Sequence, residues 1–203
     1  MKIAIIGATG RVGTRLTDEA LRRGHAVTAL ARNASKLAPR DGLATKDVDA
    51  TDTDALAAAL AGNDVVISAA RFLDLPAGDV VDATMQAGVP RLLVVGGAAS
   101  LYVAPGVQLI DTPTFPEIYK AEAGAGRDFL NALKTETELD WTFLSPSALF
   151  EPGERTGKFR IGEETLLADA QGKSWISMED YAIAMLDEIE KPAHSHQRFT
   201  VGY

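Results

Sequence analysis

The chain contains no cysteine. Disulfides, thiolate zinc sites and cysteine nucleophiles are therefore absent, and the expected compartment is the cytoplasm. Long hydrophobic runs are missing too. None approaches the ~18 residues of a membrane helix, and the apolar start Met1–Gly7 carries no cleavage signal and is expected to stay. No membrane partner is expected. Basic residues are in the minority, 20 against 28 acidic, for a formal net charge of −8 over 203 positions. That balance argues against a nucleic-acid partner, because backbone phosphates need a net basic face; a small anion in a local pocket remains compatible with it. There is no glycine- or serine-rich linker, no repeat and no charge block. The hydrophobic fraction is 46%, which excludes a disordered chain. The length suits one domain over 1–203, with 146–203 as an elaboration around a substrate pocket. A monomer or a homodimer is expected.

The sequence alternates between strand and helix patterns. Lys2–Ile6, Ala26–Ala31, Leu43–Val48, Asp64–Ala69, Arg91–Val95 and Trp141–Leu144 read as strands. Between them lie Arg11–Arg23, a helix capped by Asp52 or Asp54 and ended by Gly62, Gly78–Ala87, and Glu117–Leu133 with Ile118, Ala121, Ala125, Phe129 and Leu133 on one face. After Ser145 the rhythm changes. Lys158–Ile161 and Thr165–Ala168 are short strand candidates, Asp180–Ile189 is helical, and Arg198–Val201 is a last strand. Apolar strand runs alternating with helices predict an α/β fold, a doubly wound parallel sheet of the Rossmann type with helices on both faces and a small C-terminal elaboration.

The strongest motif is Gly7-Ala8-Thr9-Gly10-Arg11-Val12-Gly13, which follows a strand and opens a helix. Gly7 permits the tight turn, Gly10 lets backbone approach a pyrophosphate, and Gly13 lets helix and strand pack closely. Thr9, Arg11 and Val12 complete the loop, whose free N–H groups would face phosphates at the positive end of the helix dipole. The spacing is G-x-x-G-x-x-G, and a glycine-rich turn without a ligand is the alternative.

The second strand ends in Ala31-Arg32-Asn33-Ala34-Ser35-Lys36, with no carboxylate. An acidic residue there would bind a ribose 2′-hydroxyl, whereas Arg32, helped by Asn33 and Lys36, suits a 2′-phosphate. The expected cofactor is NADP(H) in preference to NAD(H); a solvated basic helix start is the alternative. Asp49 ends the third strand, where it would either accept from an adenine amino group or serve as a helix cap beside Asp52. Ala69 and Ala70 end the fourth strand with small side chains, which either let backbone pass close to a ribose or simply pack. His25, His194 and His196 are poor catalytic candidates, and no metal site is expected.

The glycine loop and the Ala31–Lys36 segment, together with Asp64-Val65-Val66-Ile67-Ser68-Ala69-Ala70 and Leu93-Val94-Val95-Gly96-Gly97-Ala98, resemble the atypical short-chain dehydrogenase/reductases. The branch they resemble is the NAD(P)H-binding, NmrA-like and NADH-flavin-reductase-like one related to biliverdin reductase B. Trp141-Thr142-Phe143-Leu144-Ser145-Pro146-Ser147-Ala148-Leu149-Phe150-Glu151-Pro152-Gly153 and Ile176-Ser177-Met178-Glu179-Asp180-Tyr181-Ala182 carry the likeness to the C-terminal end. The resemblance implies a pocket serine near the nicotinamide, which falls on Ser100, and a bordering loop at Pro146 and Ser147. It also implies a helix tyrosine, Tyr119, but the tyrosine–lysine pair of the wider superfamily is missing: position 123 is alanine, and Lys120 adjoins Tyr119 without sharing its helix face. Catalytic roles are accordingly expected of Ser100 and, less directly, Tyr119. The expected function is an NADPH-dependent oxidoreductase passing hydride to a small acceptor, a flavin or another planar molecule. A non-catalytic NADP(H) sensor and a sugar epimerase or dehydratase are the alternatives.

Overall fold

A computed structural model describes residues 1–203. Its strands are β1 (Lys2–Ile6), β2 (Ala26–Ala31), β3 (Leu43–Asp47), β4 (Val65–Ser68), β5 (Arg91–Val95), β6 (Tyr102–Ala104), β7 (Val107–Gln108), β8 (Asp140–Ser145), β9 (Leu149–Glu151), β10 (Arg160–Gly162), β11 (Trp175–Ser177) and β12 (Gln197–Gly202). The α-helices are α1 (Arg11–Arg22), α2 (Thr53–Leu60), α3 (Ala77–Gln86), α4 (Lys120–Leu133) and α5 (Met178–Glu190). Eight strands form one sheet in the order β10-β12-β8-β5-β4-β1-β2-β3. All pairs in it are parallel except β10 with β12. This is a doubly wound α/β sheet of the Rossmann type. No helix is long and apolar enough to cross a membrane.

The two faces of the sheet bury different helices. Leu56 and Leu60 of α2, Val80 of α3, and Phe129, Leu130 and Leu133 of α4 join one apolar cluster with Ala4, Val66, Leu92 and Phe143. Leu16 and Ala20 of α1 and Tyr181, Met185 and Ile189 of α5 join the other with Ile3, Ile5, Ile67 and Leu93. Alternate residues of each central strand thus enter opposite clusters, which explains why these strands are apolar throughout rather than alternating. Each fully buried Leu or Ile contributes roughly 1.5–3 kcal/mol by removal from water. Helix ends are set locally: the Asp52 carboxylate accepts from Ala55 N at 3.0 Å to cap α2, and Ser177 Oγ accepts from Asp180 N at 3.0 Å to cap α5.

Three expectations change. The segment from Glu117 opens as a 3₁₀ turn, Glu117–Tyr119, before α4 begins. Three residues per turn break the 3.6-residue phase, so Ile118 points outward, 83% exposed, and the buried face is Gly126, Phe129, Leu130 and Leu133. Thr165–Ala168 is not a strand. Thr165 makes only one isolated bridge to Tyr102, because the backbone there bonds to β6 at single points, Tyr102 N to Glu164 O and Leu166 N to Tyr102 O, both 2.9 Å. The strand candidate at 158–161 is shifted to β10, where Arg160 pairs with Gly202.

Candidate functional site at the carboxyl edge of the sheet

Strand order reverses between β1 and β4, one neighbour leading toward β3 and the other toward β12. In open α/β sheets a crevice forms outside the carboxyl ends of the strands at such a point. The glycine loop lies there. Gly7 adopts φ +77°, and both Gly7 N and Ala8 N donate to Leu30 O, at 2.9 and 3.2 Å. Gly10 N returns to Gly7 O at 2.9 Å, and the first full helical bond runs from Thr14 N to Gly10 O at 3.0 Å. The N–H groups of Arg11, Val12 and Gly13 precede it and have no carbonyl one turn back.

Space explains each glycine separately. A Cβ at Gly13 would lie 2.2 Å from Gly7 O, and one at Gly7 would lie 2.8 Å from Ala69 O. Both glycines are thus required by the fold itself. A Cβ at Gly10 would meet only Gly7 O, at 3.2 Å. That contact is tight but much less severe than the other two, so the fold requires glycine less strictly at position 10.

The helix that starts here is electrostatically distinct. α2, α3, α4 and α5 carry Asp54, Asp79, Glu122 and the pair Glu179 and Asp180 in their first turns. α1 has no acidic residue in its first turn and no side-chain cap on Gly10. Its positive end is not offset by a carboxylate of its own first turn. Thr9, Gly10 and Arg11 are exposed around it, with Val12 half-buried.

Beyond β2, Arg32, Asn33 and Lys36 are all exposed, and Arg32 and Lys36 make no ion pair within 4.0 Å. The turn that carries them is fixed from β3: Asp47 accepts from Ser35 N at 2.7 Å and Ser35 Oγ at 2.6 Å. The Ser35 hydroxyl, then its backbone N–H, hold the Asp47 carboxyl below the usual range. Asp47 was not among the residues singled out from the sequence. Asp49 turns back on its own chain, accepting from Thr51 N at 3.1 Å and Thr51 Oγ1 at 2.8 Å. Those bonds lower its pKa. Of the two roles considered for Asp49, the helix cap falls to Asp52, and the Asp49 carboxylate instead closes the turn before α2.

Ala69 and Ala70 are half-buried and abut the glycine loop, with Ala69 N donating to Ile6 O at 2.9 Å. The loop after them is held by Glu122 of α4, which accepts from Phe72 N at 2.8 Å. The Phe72 ring stacks on Phe143, centroids 6.1 Å apart, and meets Phe129 edge-on at 5.3 Å. Gly126 makes room for it, since a Cβ there would lie 2.8 Å from the ring.

The acceptor side differs from expectation in two places. Ser100 is 4% exposed, and its hydroxyl accepts from Arg198 Nη1 at 3.3 Å. It lies under the loop rather than on it, so the geometry does not support the expected hydrogen bond from Ser100 to an acceptor. Ser147 is fully buried and donates to Val201 O at 2.9 Å. With Pro146 also buried, that segment offers backbone but no free hydroxyl. Tyr119 is 61% exposed at the start of α4. Lys120 Nζ lies 2.7 Å from Glu117 Oε2, so its ammonium is engaged away from a role as tyrosine partner. His25 bonds Glu190 at 2.8 Å and His194 bonds Glu188 at 2.8 Å, both as structural contacts. Arg198, Glu164 and Glu122 were missed by sequence reasoning. Their partners lie between 34 and 98 residues away, and no local pattern signals them.

A strand-turn-helix glycine loop with free N–H groups at a topological switch point defines a dinucleotide-binding domain. Residues 7–192 match the family model described as NAD(P)H-binding, and the chain belongs to that family. It is 43% identical to the uncharacterized protein YwnB of Bacillus subtilis over 99% of this chain and 98% of that one. Three solved structures are similar over the whole of this chain. One is provisionally described as an exported protein of Burkholderia pseudomallei (50% identity, all of that chain, TM-score 0.90). Another is provisionally an epimerase of Bacteroides thetaiotaomicron (43%, 96% of that chain, TM-score 0.95). The third is provisionally an NADH-flavin reductase of Streptococcus pneumoniae (36%, 99% of that chain, TM-score 0.87). The branch resembled by the sequence motifs, the NmrA-like atypical short-chain dehydrogenase/reductases, is the one these likenesses support.

Proposed function

We propose that the protein is an NADPH-dependent reductase whose acceptor is a flavin or another small planar molecule. The observation that carries the cofactor reading is the first turn of α1, which alone among the five α-helices has no carboxylate of its own. The N–H groups of Arg11, Val12 and Gly13 would hold the pyrophosphate, with Thr9 and Gly10 beside it. Arg32 and Lys36, without ion pairs, would hold a 2′-phosphate, and Asn33 would line that turn. Ala69 and Ala70 would flank the ribose. When bound, the nicotinamide supplies the hydride.

What the chain's own groups do next favours a flavin over a ketone or sugar. A ketone needs a proton at a defined oxygen, and Lys120, the neighbour of Tyr119, is paired with Glu117 rather than with the phenol. A reduced flavin ring can take its proton from solvent. The same engagement of Lys120 weighs against an epimerase. An NADP(H) sensor without turnover shares these features and is separated by experiment. The acidic balance fits a small-molecule partner rather than nucleic acid, and the absence of cysteine is compatible with the cytoplasm.

The test is direct. NADPH and NADH are titrated against the protein, then NADPH oxidation is followed with flavin, quinone and dye acceptors. Tighter NADPH binding with steady flavin turnover supports the reading. Binding without turnover of any acceptor supports the sensor, and equal affinity for the two cofactors removes the role given to Arg32.

A further inference from the structure

Arg198 of β12 is buried in the sheet, its side chain 1% exposed. A guanidinium keeps its charge at any physiological pH and carries five donors, so burial requires acceptors. They come from three separate parts of the chain. Nε donates to Glu164 Oε1 at 3.0 Å, and Nη2 donates to the other carboxylate oxygen. Nη1 donates to Ser100 Oγ and to Ser145 Oγ, both at 3.3 Å, and Nη2 also reaches Ser100 O at 3.4 Å. One side chain thus joins the loop after β5, the last residue of β8 and the stretch between β10 and β11.

The loop after β5 begins pressed against β8. Gly96 N donates to Leu144 O at 2.8 Å, and a Cβ at Gly96 would lie 2.4 Å from the Phe143 ring. Gly96, Gly97 and Ala98 remain half-buried at the carboxyl edge, while Ala99 and Ser100 turn under it. Further on, Leu101 N bonds Ala98 O and Ile110 N bonds Ala99 O, both at 2.9 Å. Gly96 and Gly97 carry no side chain, so this half-buried part of the loop offers mainly backbone, and the Arg198 contact lies just beyond it at Ser100.

We propose that Arg198 is a positioning residue for the acceptor side of the site, holding Gly96–Ser100 and the end of β8 at fixed heights through Ser100, Ser145 and Glu164. The proposal rests on the reading of this edge as the acceptor site. A role in stability alone would not require this arrangement, because well-packed apolar side chains replace buried ion pairs at little or no cost.

Two variants test it, Arg198→Met and Glu164→Gln; the second removes one charge at a half-exposed position and keeps a hydrogen-bond acceptor. Amide hydrogen exchange is read residue by residue in the protein without cofactor. Exchange at Leu101, Tyr102, Leu109 and Ile110 should quicken about tenfold or more, with Ile3–Ile6 unchanged, as expected for local rather than global opening. NADPH affinity should stay within about twofold, while kcat/KM for a flavin acceptor falls about tenfold through KM. Ser100→Ala added to Arg198→Met should cause no further loss of kcat/KM. Unchanged exchange in the loop overturns the proposal, and so does acceleration spread evenly over the sheet, which marks a general stabiliser. Were the unmodified protein to reduce no acceptor, the functional reading would fail while the exchange pattern would still decide the role of Arg198.

Discussion

The two ends of the carboxyl edge treat polar groups in opposite ways. At the β1–β2 end, the cationic groups and helix N–H groups are left free: the first turn of α1 is uncapped, and Arg32 and Lys36 have no ion pair. At the β5–β8–β12 end, they are committed internally. Ser100 and Ser145 face Arg198, Ser147 donates to Val201 O, and Tyr181 OH donates to Leu144 O at 2.6 Å. Burial accordingly pushes the Tyr181 hydroxyl well above its ordinary pKa. Unpaired donors are costly unless water or a ligand meets them. The free end suits a charged ligand, and the committed end is a shaped surface. A serine named by sequence position can therefore belong to the scaffold.

The sharpest way to break this comparison is a pair of glycine substitutions. Gly13→Val forces side-chain atoms into a space where even a Cβ would lie 2.2 Å from Gly7 O. We expect it to destabilise the fold by about 3 kcal/mol or more, seen as a lower Tm, since overpacking costs of this kind reach that size. Gly10→Val should leave circular dichroism and Tm nearly unchanged and abolish dinucleotide binding. If Gly10→Val still binds NADPH, the phosphates lie elsewhere and the free end has another purpose.

Glu19 extends the contrast into the scaffold. Its carboxylate is 2% exposed and accepts from Arg22, Arg23 and Arg155 at 2.6 to 2.8 Å, tying α1 to the loop before β10. The Arg155 bonds, followed by those of Arg23 and Arg22, outweigh burial and hold its pKa at about 2, below the ordinary 4.5. Its charged form stabilises the folded state above pH 4.5, and that contribution is lost as pH falls from 4.5 toward 2. Glu19→Gln should cost roughly 1.5–3 kcal/mol at neutral pH, the range for charged hydrogen bonds, because Arg22 and Arg155 remain half-exposed to water and Arg23 keeps Asp187 and Glu190. It should also flatten the acid limb of stability against pH in denaturant titrations. NADPH affinity in this variant should not change beyond what the loss of folded protein explains.

Arg32→Ala should weaken NADPH binding by roughly 1.5–3 kcal/mol, the range for a charged hydrogen bond, while leaving NADH binding alone. An equal loss for both cofactors would place Arg32 on a part common to the two. The smallest effect is expected at Tyr119→Phe, less than about 1 kcal/mol in kcat/KM with a flavin acceptor, the scale of one neutral hydrogen bond. A loss of about a thousandfold there, roughly 4 kcal/mol, would restore a tyrosine acid and favour a carbonyl or sugar substrate.

The order of β1 to β5, β8, β12 and the five α-helices, the glycine loop and the basic end of β2 were legible in the residues alone, whereas the short strands β6, β7, β9 and β11 were not. Each legible feature is a local matter: apolar runs choose strands, a glycine with positive φ makes a turn, and Gly10 opens the next helix. The phase of α4 was not legible, because a 3₁₀ turn at Glu117–Tyr119 shifts the register and Phe72 demands Gly126 beneath it. Nor was the inward aim of Ser100. That depends on a guanidinium 98 residues later, brought alongside only when β12 enters the sheet next to β8. Sequence spacing determines which groups can share a turn or a helix face. Which distant charge finds which hydroxyl is decided by strand order, and here strand order turned a candidate catalytic serine into part of the frame.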